Sequence, residues 1–160
     1  QWLENWRWKH PSNWTSNQSK SKLPKLWCGV EITSSLLDVD VHILGYAFAP
    51  EHKAISPYLQ GGAPNGEDRQ ASLVIKAIQA AGGVAVLAHP VRYRRSPEDL
   101  IPAAAALGID GVETYYAYDH PTEWRPTPEK TERVKALAGA YQLLSTCGTD
   151  SHGLTLTRRV

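Results

Sequence analysis

From residue 67 to residue 146 the chain alternates stretches of helical period with short apolar runs, and this alternation constrains its fold more than any other feature. Ala71, Val74, Ile75 and Ile78 mark one face of a helix over about 67–81, which Gly82 and Gly83 stop. The run 84–88 is too apolar for an edge and reads as a strand buried on both faces. Ser96 is placed to cap a second helix, with Pro97 first and Glu98 and Asp99 in its opening turn; it runs to about Leu107, where Gly108 ends it. A strand over 109–116, a helix capped by Thr127 and ending near Tyr141, and a strand over 143–146 complete the series. Helix and strand alternating in this way predict an α/β fold with a parallel sheet or barrel, with reactive groups at the carboxy ends of the strands.

The front half reads differently. Residues 2–9 have helical spacing, 9–25 form a polar loop, and strands are expected over about 26–33 and 39–48 with a turn at 34–38. Residues 49–67, rich in Gly and Pro, read as a loop with at most one short helical turn. The whole of 1–160 reads as one domain.

Composition excludes several functions. Hydrophobic residues make up 42% of the chain, enough to bury a core. The net charge of +1, with no basic block longer than Arg94-Arg95 or Arg158-Arg159, argues against a stable double-stranded nucleic-acid surface but not against a small phosphate-bearing substrate. No apolar run approaches the ~20 residues of a membrane span. Cys28 and Cys147 are too few for a disulfide framework and read as buried, reduced thiols of a cytoplasmic protein. The chain opens on Gln1 and holds no methionine, so it reads as lacking its natural start.

Ionisable residues gather where strands end. His89 follows the 84–88 strand, Asp150 and His152 follow the last one, and Glu31 and His42 lie on the first two. Asp150 and His152, two apart, point to one side of an extended chain and could share an ion; taken alone, the tripeptide reads more readily as an Asx-turn with a solvated histidine. A hairpin turning at Leu36 and Leu37 sets Glu31 opposite His42, as an ion pair or as two ligands. His89 either caps its strand or binds a ligand. Arg92, Arg94 and Arg95 suit phosphate oxygens or are ordinary solvated charge. His10 and His52 stand outside any constellation.

The runs Gly29-Val30-Glu31-Ile32 and His42-Ile43-Leu44-Gly45-Tyr46 resemble paired segments of the PHP (polymerase and histidinol phosphatase) phosphoesterases. Ala85 to Pro90 with Arg92-Tyr93, Gly111-Val112-Glu113 with Tyr115-Tyr116, and Gly148 to Gly153 are similar to three further segments, in the family's order. Thr149 and Ser151 depart from the last of these. The resemblance implies a distorted seven-stranded TIM-like barrel, here without its first strands and their H-x-H pair, and with a shortened insertion loop at 49–67. It implies two or three divalent metal ions, manganese, zinc or iron, held by Glu31, His42, His89, Asp150 and His152. Glu31, His89 and Asp150 would be catalytic, and Arg92 and His120 would orient the substrate phosphate. The implied activity is hydrolysis of a phosphate ester of a nucleotide or short oligonucleotide by metal-activated water; the alternative is an inactive fragment or a non-enzymatic metal-binding module.

Overall fold

The computed structural model describes residues 27–119 and 124–151. Five strands form one sheet in chain order: β1 Gly29–Leu36, β2 Val39–Tyr46, β3 Val84–Leu87, β4 Gly111–Tyr115 and β5 Leu144–Cys147. β2 runs antiparallel to both β1 and β3, and β3, β4 and β5 run parallel, as the alternation requires. The expected barrel is not formed by these residues. Among the described residues, pairing runs linearly from β1 to β5, which leaves each end strand with one neighbouring strand. The antiparallel hairpin that opens the sheet also breaks the strict βα repeat of such a barrel.

Strand β1 extends through Leu36, so the turn shrinks to two residues, Leu37 and Asp38, with φ of 50° and 62°. Positive φ at both positions matches the right-handed twist of the flanking strands. The resulting register pairs Thr33 with His42 and Glu31 with Leu44. Glu31 and His42 are therefore diagonal neighbours on one face rather than directly opposed, two residues off the expected register.

Three helices connect the strands: α1 Ala71–Ala80, α2 Pro97–Ala106 and α3 Pro128–Ala140. The segment 49–67 holds more structure than its Gly and Pro content suggests, with 3-10 turns at Ser56–Leu59 and Gly66–Arg69. The Ser96 cap is formed, its hydroxyl accepting the Asp99 N–H at 3.2 Å; Thr127 precedes α3 without a side-chain cap bond. One face of the hairpin, with Ile32, Leu36, Val41 and Ile43, is buried with Val74, Ile75 and Ile78 of α1 and with Leu100 and Ile101 of α2. Pleating then sends Glu31 and His42 to the opposite face. Beneath the parallel strands, Asp110 accepts the Ala85 N–H at 2.8 Å and the Gln79 amide at 3.1 Å, pinning α1 to the start of β3. None of the described helices is long and apolar enough to cross a membrane.

Candidate metal centre

Three side chains converge from three adjacent strands. Glu31 comes from β1 and His42 from β2; His89 lies two residues past β3, where φ turns to 24°. One donor atom from each lies within 4.8 Å of the others. His42 Nδ1 stands 2.5 Å from Glu31 Oε1, and His89 Nε2 stands 3.5 Å from the same oxygen. The imidazoles meet edge-on, 5.2 Å between ring centres.

Electrostatics tie the group together. The facing imidazoles, His42 foremost, hold the Glu31 carboxyl well below the usual carboxylate range. Glu31 in turn raises the His42 pKa above 6.5. Yet neither nitrogen of His89, which is only 3% exposed, has a hydrogen-bond partner, and neither does Nδ1 of His42. Their proximity to Glu31 is close approach without hydrogen-bond alignment.

Buried, unpartnered ring nitrogens converging on a carboxylate oxygen fit a cation. Donors at ~2.1 Å from a tetrahedral ion stand ~3.4 Å apart, and the His89–Glu31 separation of 3.5 Å matches that. The His42–Glu31 separation is shorter, so accommodating an ion requires those two groups to part by roughly 1 Å. Imidazole and carboxylate donors suit zinc, iron or manganese.

A second group flanks the first. The Asp150 carboxylate accepts from Arg92 Nη1 at 2.6 Å and from the Tyr116 hydroxyl at 2.7 Å; Arg92 Nη1 also lies 3.1 Å from that hydroxyl. Burial and the bond to Asp150 push the Tyr116 pKa up to about 12, so its proton stays in place near neutral pH. The Tyr93 hydroxyl accepts the His42 N–H at 2.7 Å, and its ring stands 5.4 Å from that of His89.

Of the five expected ligands, the structure brings Glu31, His42 and His89 together. Asp150 stands outside that trio, engaged by Arg92 and Tyr116. His152 and His120 lie outside the described residues, as do His10 and the expected helix at 2–9. Arg94 and Arg95 are exposed, and the exposed His52 accepts the Ala54 N–H through Nδ1. Cys28 and Cys147, expected to be buried, are both exposed. Cys28 precedes one end strand of the sheet and Cys147 ends the other. Tyr93 and Tyr116 were not anticipated as site residues. The available signal was position, since each closely follows a strand that ends at the site.

No family model matches the chain, and no curated protein matches it. Among solved structures, it resembles a protein of Bifidobacterium adolescentis that carries the provisional description metal-dependent phosphoesterase. That match has a TM-score of 0.60 and 24% identity, covering 79% of this chain and 68% of that one. It also resembles an amidohydrolase of Chromobacterium violaceum, solved with sulfate and without metal, at a TM-score of 0.61 and 18% identity, covering 83% and 73%. Likeness at this level of identity establishes a shared fold.

Proposed function

We propose that the chain belongs to a metal-dependent phosphoesterase of the PHP type, acting on a phosphate ester of a nucleotide or short oligonucleotide. The observation that carries this reading is the convergence of Glu31, His42 and His89 with buried ring nitrogens left unpartnered. The shared fold with a protein described as a metal-dependent phosphoesterase supports it, as does sulfate, a phosphate-shaped anion, in the second neighbour.

Glu31, His42 and His89 would hold a divalent ion, with Asp150 and His152 completing the ligand set. Such an ion supplies Lewis acidity, which lowers the pKa of water and draws charge from phosphoryl oxygens. Arg92, set beside Asp150, offers a guanidinium for a phosphate oxygen on the same rim, and His120 is the second candidate for that task. Tyr93 and Tyr116, packed against His89, shield the trio from water on that side.

A metal-binding module without turnover is the competing reading. Its support is that three donors converge among the described residues, whereas an ion takes four to six. Titration calorimetry with Mn²⁺ and Zn²⁺, paired with Mn²⁺-dependent phosphate release from a nucleoside bisphosphate, separates the two. Binding that is lost in His89→Ala, with turnover lost in Asp150→Ala, is the expected result. Binding without turnover favours the module, and binding that survives both His89→Ala and His42→Ala overturns the site.

A further inference from the structure

Glu113 has no part in the chemistry above, yet it is 3% exposed in the middle of the parallel sheet. Burying a carboxylate is costly unless its oxygens have defined work. Here the two oxygens reach opposite ways, toward the two strand ends that carry His89 and Asp150.

Toward β3, the described backbone pairing with β4 ends at Leu87 and Val112. Beyond it His89 turns to φ 24°, leaving the extended conformation that a strand ladder needs. Its N–H is instead taken by Glu113 Oε2 at 2.8 Å, a buried bond between residues far apart in sequence. Toward β5, the register with β4 shifts between Glu113 and Tyr115, and Gly148 N–H reaches the Tyr115 carbonyl at 3.3 Å. A Cβ placed on Gly148 would collide with Glu113 Oε1. The Gly148 backbone does not itself demand glycine, since its φ lies outside the left-handed range. The carboxylate occupies the space that any larger residue would need. Two residues on, Asp150 has φ 50°, so both strand exits abutting this carboxylate lead into left-handed backbone.

We infer that Glu113 is a positioning residue: its carboxylate fixes the backbone turn from which His89 presents its imidazole, and Gly148 exists to leave room for it. The inference rests on the proposed role of His89 as a metal ligand. Glu113 acts through the His89 amide and not as a donor to the ion; its Oε2 is already engaged, and it stands outside the converging trio. Glutamine keeps the acceptor and the shape, so it separates the two roles.

The experiment titrates Mn²⁺ into the 160-residue chain and into Glu113→Ala, Glu113→Gln, Gly148→Ala and the Ala/Ala double variant, with hydrogen exchange measured at the His89 amide. Loss of an outer support typically weakens a metal site ~10–100-fold, which is the expectation for Glu113→Ala, while Glu113→Gln stays within ~3-fold of the parent. Gly148→Ala should mimic Glu113→Ala alone and add nothing to it, because the carboxylate it displaces is then absent. The His89 amide should exchange faster in Glu113→Ala and not in Glu113→Gln. Affinity unchanged in Glu113→Ala, or glutamine as damaging as alanine, overturns the assignment. If the parent chain binds no Mn²⁺, the proposed function fails. The His89 exchange rate then decides the brace alone: acceleration in Glu113→Ala supports it, and no change overturns it.

Discussion

Replacing His89 by leucine should make the metal-free protein more stable while removing its response to metal. Both imidazole nitrogens are buried without a hydrogen-bond partner, although Nε2 stands 3.5 Å from Glu31 Oε1. An unsatisfied buried polar group costs ~1–3 kcal/mol, and leucine of similar bulk removes it. Two effects oppose this gain. The residue sits at φ 24°, where an L side chain is strained, which for leucine subtracts about 1 kcal/mol or less beyond what histidine already bears. The attraction between His89 and Glu31 is also lost, but Glu31 is 36% exposed and solvent screens it. A net gain of about 1 kcal/mol raises the melting temperature by ~2–4 °C for a chain of this size. The assay is thermal unfolding followed by circular dichroism, first in chelator and then with Mn²⁺. At one hundred times Kd, metal stabilises the parent by ~2.7 kcal/mol, so the order of the two curves should invert. A leucine variant that melts below the parent in chelator would show that the ring nitrogens are satisfied. Equal stabilisation of both proteins by Mn²⁺ would show that His89 is not a ligand.

Gly83→Ala should destabilise the fold by ~1–3 kcal/mol in urea titration, because the new Cβ would lie 2.8 Å from Phe48 Cβ and 3.0 Å from the Tyr46 carbonyl. Metal affinity should fall with pH below the raised pKa of His42, by up to about tenfold per unit for each proton displaced, since a ligand imidazole must be neutral. In chelator the sign reverses: the His42–Glu31 contribution is fully present below 6.5 and is lost as pH rises through the raised value, which calorimetric titration and melting at pH 6 and 8 would separate. Cys28 and Cys147, both exposed, should react with Ellman's reagent without denaturant; labelling of only one would place the other under cover.

The parallel half was legible because its signals are local. Gly82-Gly83, the Ser96 cap and the apolar run at 84–87 each specify an element without help from distant residues. Glu31, His42 and His89 were legible as candidates because each lies on or just past a strand whose neighbours are apolar. The hairpin register was not. A slip of two residues depends on whether the turn centres on Leu36-Leu37 or on Leu37-Asp38, and Leu37 gives no sign that it will adopt positive φ. The cysteines were misjudged because composition cannot reveal which strands become edges. Tyr93, Tyr116 and Glu113 stand in recognisable segments, but their contacts span 24 to 51 residues of sequence, and local pattern does not tell which distant group each will meet.

The two-residue turn at Leu37-Asp38 also bears on the order of assembly. It joins the strands carrying Glu31 and His42, so those side chains can meet as soon as a local hairpin closes, an event of ~1–10 μs. His89 arrives from much farther along the chain and must wait until β3 docks on β2. Two walls of the centre are thus local and early, and the third is remote and late. Contacts formed late retard unfolding more than they hasten folding. The junction at His89 should therefore govern how long the native state persists, and the hairpin how quickly it is reached.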